Sequence, residues 1–320
     1  MPYLLLVLGL ATLVVTGDLL VRGAVGLSNR MGIPPLVIGL TVVAFGTSAP
    51  ELVVSLSAAF EGAPGLSIGN VVGSNITNIL FVLGVPAIFF SIDCKQNGLR
   101  RSATFMVLIT VLLIVLSFDH TISFTDGLLL IALLAGYLVY NGIEANRMRK
   151  KGQAIEDIIE EIDDAPDDVR KISIYLIIGI IGLPLGGKLT TDSALDIASM
   201  MGMAESAVGL TIVALGTSLP EFAAGMAAAL RKQSAVAIGN AVGSNIFNIL
   251  SIVGVTAVII PLHVDTSFLR FDYWVMLAVS LSILPIIFMH RSIGRKEGLI
   301  MTAIYLGYMF FVFQSGQIGF

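Results

Sequence analysis

The sequence predicts an all-α integral membrane protein of ten transmembrane helices, arranged as two inverted five-helix repeats with the second and seventh helices broken. Three observations predict it. The 320 residues are 56% hydrophobic and only 12% charged, half of the ~25% that covers a water-facing surface in a soluble domain. Apolar runs long enough for a bilayer core, about 20 residues, recur along the whole chain. Finally, residues 38–80 and 208–250 are the same stretch written twice, identical at 23 of 43 positions without a gap.

The spans are expected near 2–22, 34–60, 66–92, 103–118, 124–145, 172–190, 205–230, 235–262, 273–290 and 297–316. The first lacks a basic leader and a small-residue cleavage site, so it reads as a retained helix and not as a signal peptide. Most spans are apolar all round, and the loop charges orient them. With the N-terminus outside, 16 of the 18 Lys and Arg lie in inner loops, and only Lys188 and Arg270 lie outside. The positive-inside bias therefore predicts a multi-pass protein of the cell (plasma or inner) membrane with both termini extracytoplasmic.

The long polar segment at 146–171, from RMRKK to EDIIEEIDDAPDDVRK, divides the chain. It predicts a first five-helix repeat at 1–145, a cytoplasmic linker at 146–171 and a second, inverted repeat at 172–320. The linker lacks the D-x-D-x-D-G spacing of a calcium loop, so it reads as a solvated connection. The single cysteine, Cys94, excludes an internal disulfide.

Five spans per copy is an odd number, so the second copy enters the membrane from the opposite side. The charges agree: at the constant offset of 170, Arg22 aligns with Asp192 and the loop Glu61–Gly62 aligns with Arg231–Lys232. Inverted repeats of this kind place a site near the midplane, between the halves.

Each copy carries GTS-x-PE inside an apolar span, as Gly46-Thr47-Ser48-Ala49-Pro50-Glu51 and Gly216-Thr217-Ser218-Leu219-Pro220-Glu221. Proline cannot donate a backbone hydrogen bond and clashes with the preceding turn, and the glycine loosens that turn. Carbonyls freed by the break are tolerable in a membrane only where they line a polar cavity. With the Thr and Ser hydroxyls and the glutamates they make an all-oxygen donor set, which suits Ca²⁺ and Na⁺ and not zinc or copper. The second motif, GN-x-VGSNI-x-NIL, supplies Ser74 and Asn78, and Ser244 and Asn248, each pair four apart on one helix face. Asn78 and Asn248 are expected to face the ion. Asn70, Asn75, Asn240 and Asn245 are expected to bond backbone near helix ends, and Gly69, Gly73, Gly239 and Gly243 to permit close helix packing. Asp18 and its counterpart Lys188 are expected near a membrane surface.

These motifs resemble the two alpha-repeats of the cation/calcium exchanger superfamily, in its sodium/calcium exchanger branch of prokaryotic type, and the resemblance covers nearly the whole chain. It implies exchange of Na⁺ for Ca²⁺ by alternating access. It implies Glu51 and Glu221 as central calcium ligands shared with sodium, and Thr47 and Thr217 as hydroxyl and carbonyl ligands. Ser48, Ser74, Ser218 and Ser244 become sodium-site oxygens, the carbonyls of Ala44 and Ala214 serve outer sodium sites, and Asn78 and Asn248 match amide or carboxylate positions of the central site. Asn248 stands where potassium-dependent members and several prokaryotic ones carry Asp, which argues against K⁺ cotransport. The glutamate that follows GN in the cation/proton branch is missing, which favours sodium over the proton.

The expected partners are Ca²⁺ and Na⁺ as substrates and the lipid bilayer, with no cofactor, no nucleic acid and no obligate protein partner. A calcium/proton exchanger using the same two glutamates is the alternative. A channel has no need of inverted symmetry. An intramembrane enzyme fits poorly, because His120, His263 and His290 all fall in loops and no HExxH or Ser–His arrangement enters a span.

Overall fold

The computed structural model describes residues 2–150, 165–200 and 214–318. The helices are α1 (Pro2–Met31), α2 (Pro35–Thr47), α3 (Ala49–Phe60), α4 (Pro64–Phe89), α5 (Leu99–Leu116), α6 (Phe124–Lys150), α7 (Val169–Met200), α8 (Ala214–Thr217), α9 (Leu219–Leu230), α10 (Ser234–Ile259), α11 (Phe268–Phe288) and α12 (Arg295–Ile318). Seven of them (α1, α4, α5, α6, α7, α10 and α11) are long and apolar enough to cross a membrane. The pair α2 and α3, bent by 42° at a short break, makes an eighth candidate span.

Local chemistry sets the boundaries. Pro35, Pro50 and Pro64 sit in the first turns of α2, α3 and α4, where the missing N–H costs nothing and the fixed φ favours the helix. The chain turns before α2 through Gly32, at φ +61°, a conformation that a Cβ would disfavour. Several helices outrun the expected spans. Most notably α1 continues past residue 22 to Met31, and α7 occupies Val169–Met200 in place of 172–190. Hydropathy marks the apolar core of a bilayer, whereas a helix continues through Arg22 and Arg30 until Gly and Pro stop it. Helix likewise enters both ends of the polar segment at 146–171, whose middle lies outside the described residues. Proline alone is a poor guide to breaks, since Pro184 and Pro285 sit inside the continuous helices α7 and α11.

The interior is built on α4 and α10. In each, 78% of the span is buried, against 22% in α6. Both contain one wider π-helical turn, Asn78–Leu83 in α4 and Asn248–Val253 in α10. Gly239 and Gly243 let α10 lie on the backbone of α2: a Cβ on Gly239 would stand 3.0 Å from Leu36 O, and one on Gly243 2.7 Å from Leu40 O. This is the close packing expected of them. Gly69, by contrast, would meet the Phe268 ring at 3.5 Å.

Helices α1 and α7 pack along their length, antiparallel. A Cβ on Gly9 would fall 2.5 Å from Thr190 Oγ1, and one on Gly179 2.6 Å from Leu20 Cβ. Gly182 meets Thr16 and Gly186 meets Leu13 in the same way. The contact Gly9–Thr190 moved on by 170 residues is Gly179–Leu20, so the helix pair is related to itself by an approximate two-fold axis. Two short extended pairings, minor exceptions to an otherwise helical fold, repeat the relation. Strand β1 (Thr121–Ile122) pairs antiparallel with β2 (Leu262–His263), which places His263 in a strand, and Ile92 exchanges backbone hydrogen bonds with Ile293 at 3.0 and 2.8 Å. Each pairing joins one half of the chain to the other.

Candidate functional site

The GTS-x-PE motifs break their helices at one residue. Ser48 (φ −86°, ψ 3°) separates α2 from α3, and Ser218 (φ −88°, ψ 5°) separates α8 from α9. The glutamates then fall in the first turns of α3 and α9, where the helix dipole favours negative charge. Glu51 and Glu221 are each 1% exposed and are close neighbours. Ser48 Oγ donates to Glu221 Oε1 at 3.1 Å, so the serine of one half reaches the carboxylate of the other.

Of the remaining predicted residues, Thr47 also reaches across to the other half. Thr47 Oγ1 lies 3.2 Å from Asn240 Oδ1 and 3.4 Å from Ser244 Oγ, which ties α2 to α10. Ser74, Ser218, Ser244, Asn78 and Asn248 are all buried. Thr217 ends α8 and is half-buried. Ala44 is buried, and its carbonyl accepts from Ser48 N at 3.0 Å and from Thr47 Oγ1 at 3.3 Å. At the mirror position, where Ala214 opens α8, Ser218 N donates instead to Leu215 O at 3.2 Å.

Asparagines outside the predicted ligand set hold this arrangement. As expected, Asn70 and Asn240 bond backbone, donating to the carbonyls of Glu51 and Glu221, each at 3.2 Å. Asn75 and Asn245 do more. Asn78 Nδ2 donates to Asn245 Oδ1 at 3.1 Å, and Asn248 Nδ2 donates to Asn75 Oδ1 at 3.3 Å. Asn245 Nδ2 donates to Asn75 O at 3.2 Å, and Asn75 Nδ2 to Met276 Sδ at 3.6 Å. The spacing N-x-x-N, repeated in both copies, was the available signal: in antiparallel helices it sets each first asparagine beside the other copy's second.

Buried polar atoms are nearly always hydrogen-bonded, and each exception needs a reason. Here six unpartnered buried oxygens belong to site residues: both carboxylate oxygens of Glu51, Glu221 Oε2, Asn78 Oδ1, Asn248 Oδ1 and Ser218 Oγ. All are acceptors or hydroxyls, and two are on amides whose NH₂ ends are engaged. A hard cation takes six to eight oxygens, and free oxygen acceptors are the donor type it requires. Among the described residues no group of three or more His, Cys, Asp and Glu forms a metal cluster, so the negative charge of the site is that of the two glutamates.

Asp18 lies outside this set. It pairs with Arg231, in the turn between α9 and α10, and approaches Arg22 at 3.9 Å. Lys188 pairs with Asp192 at 2.9 Å and is largely exposed.

Comparison with known proteins agrees with this architecture. The chain is 34% identical over 310 residues to the putative antiporter CaxA of Alkalimonas amylolytica, covering 96% of this chain and 97% of that one. It is 31% identical to the sodium/calcium exchanger MaX1 of Methanosarcina acetivorans, covering 97% and 98%. Its fold superposes on the sodium-calcium exchanger NCX_Mj, from crystals soaked with Na⁺ and Ca²⁺, with a TM-score of 0.81 at 31% identity over 95% of this chain and 96% of that one. Residues 1–142 and 171–314 match the sodium/calcium exchanger protein family, a family of membrane transporters, and the chain belongs to it.

Proposed function

We propose that this protein is a secondary-active antiporter that exchanges Na⁺ for Ca²⁺ by alternating access, with its site between the halves. The observation that carries the proposal is the set of six unpartnered, buried oxygens around Glu51 and Glu221. Two carboxylates neutralise one Ca²⁺, and the amide and hydroxyl oxygens extend its shell. Because both ions need the same glutamates, they compete, and competition at one site is what couples their movements. Left ion-free and ionised, the site would hold two buried negative charges. Each costs about 2.5–3.5 kcal/mol or more at the bilayer centre, so the carrier reorients readily only when loaded. That penalty favours exchange over leak.

The proposed topology has ten spans, the second half inverted relative to the first and both termini extracytoplasmic. The antiparallel α1–α7 pair and the loop charges support it. Cysteines introduced at Lys150 and Lys232 are expected to label from the cytoplasmic side and one at Asp126 from outside. Reversed labelling would overturn the orientation.

The functional test is ⁴⁵Ca uptake into vesicles loaded with sodium, with and without K⁺. Uptake is expected to follow the Na⁺ gradient and to need no K⁺, since Asn78 and Asn248 add no third charge. Uptake driven by a pH gradient alone would reassign the protein as a calcium/proton exchanger. An absolute K⁺ requirement would refute the charge count.

A further inference from the structure

We infer that Asn75 and Asn245 are positioning residues that set which end of each ligand amide faces the ion, each acting on the opposite half; this rests on the cation-site reading above. The polarity of the network is anchored at acceptors that cannot donate. Asn245 Nδ2 is committed to the backbone carbonyl of Asn75, so its Oδ1 is left for the Asn78 amide NH₂. Asn75 Nδ2 is committed to the Met276 thioether, so its Oδ1 is left for the Asn248 NH₂. With both NH₂ groups taken, Asn78 Oδ1 and Asn248 Oδ1 are the free ends, and these are the unpartnered atoms. An amide released from this network can turn its NH₂ toward the cation. Removal of a group that orients a metal ligand typically lowers affinity about 10–100-fold. The test is Ca²⁺ binding to purified protein by calorimetry. Asn75→Leu is expected to weaken binding about tenfold or more by that precedent, and Asn75→Asp, which keeps the acceptor oxygen, to retain more. A double-mutant cycle separates positioning from general damage: Asn75→Leu should add little to Asn248→Ala but its full effect to Asn78→Ala. Equal effects in both backgrounds would overturn the inference, whereas failure of the unmutated protein to bind Ca²⁺ would overturn the site itself.

A second, independent observation concerns the rims of the site. At the 170-residue offset, Asp18 and Arg231 correspond to Lys188 and Glu61, so an ion pair that bridges the halves maps onto a second bridging pair of reversed sign. Only the first is formed: Asp18 and Arg231 are 35% and 24% exposed and bonded, whereas Lys188 is 75% exposed and turned to Asp192. The backbones agree. Gly17 of α1 rests on α9, where a Cβ would stand 3.0 Å from Ala223 O, while its counterpart Gly187 meets Pro220 of its own half. We propose that Asp18–Arg231 and Glu61–Lys188 are alternating latches, one closing the inner face in this conformation and the other closing the outer face in the alternate one. Paired cysteines test it. Oxidation of Asp18→Cys/Arg231→Cys is expected to stop turnover while leaving Ca²⁺ binding from outside. A Glu61→Cys/Lys188→Cys bridge is expected to form during turnover and to remove outside access. Normal exchange by the first bridged protein, or no bridge at 61/188 under any ion gradient, would overturn the latch. Either result leaves Ca²⁺ binding by the unmutated protein, and so the site, untouched.

Discussion

Helices α3 and α9 start at equivalent breaks, have equal length and carry the same glutamate, yet they differ in what covers them. Val54 of α3 is 40% exposed, and its counterpart Ala224 of α9 is 1% exposed. The cover is α1, seated on α9 through Gly17. Equivalent sequence thus sits in two environments, and what distinguishes them is the placement of the α1–α7 pair over the rest. Symmetry belongs to the sequence and the local fold, and asymmetry to where α1 lies.

The comparison breaks most completely at the site. Glu51→Gln and Glu221→Gln are each expected to reduce ⁴⁵Ca exchange to background while the protein still inserts, because each removes one of the two charges that offset the divalent ion. Near-normal uptake by both would place the site elsewhere. Equal loss from both would show that the uneven cover does not make one glutamate the lesser ligand.

Asn248→Asp is expected to have the next largest effect. It adds a third negative charge at a buried position, and that charge must be met by a proton or another cation. Exchange should then acquire a pH dependence, a K⁺ response, or both. If the two halves are equivalent at the centre, Asn78→Asp does the same. A response from only one would locate a functional asymmetry that the two-fold packing lacks.

The helix pair offers a smaller test. Position 182 in α7 corresponds to Thr12 in α1, but a Cβ on Gly182 would lie 2.3 Å from Thr16 Cγ2. Gly182→Thr is therefore expected to lower stability by roughly 1–3 kcal/mol, the usual cost of overpacking, although its counterpart is already threonine. Thermal unfolding in detergent measures it, and an unchanged midpoint would mean that α1 and α7 pack more loosely than their backbones suggest.

Least of all should happen at Cys94. Burial, the largest cause, with the Asp93 charge also raising it, pushes the thiol up to about 12. A raised thiol pKa keeps the group protonated and unreactive below that value. Maleimide labelling of native protein at pH 8 is expected to be negligible and to appear only on unfolding.

Much of this was legible before any coordinates. The repeated 43 residues and the loop charges gave the two-fold plan, and Gly, Ser and Pro together marked the breaks at Ser48 and Ser218. The glutamates stood out because carboxylates are costly in hydrocarbon without a purpose. The amide network left only its N-x-x-N spacing in the sequence; which asparagines meet depends on an antiparallel contact between Asn75 and Asn248 whose register no local pattern states. The π-helical turns at Asn78 and Asn248 leave no mark in hydropathy. Nor can a repeat say which half is covered, because the two copies carry the same motif and only α9 is capped by α1.

The α1–α7 contact has one further consequence. Its pattern, in which residue i touches j and the counterpart of j touches the counterpart of i, is that of an isologous dimer interface, here closed within one chain. A surface that packs against its own duplicate is not free to drift: a larger side chain at Gly9 or Gly179 is tested against an edge that the other copy also uses. Positions outside that contact escape the test, as at Glu61 and Arg231, which carry opposite charges. The contact keeps glycine at both 9 and 179, whereas positions 12 and 182 have parted into Thr and Gly.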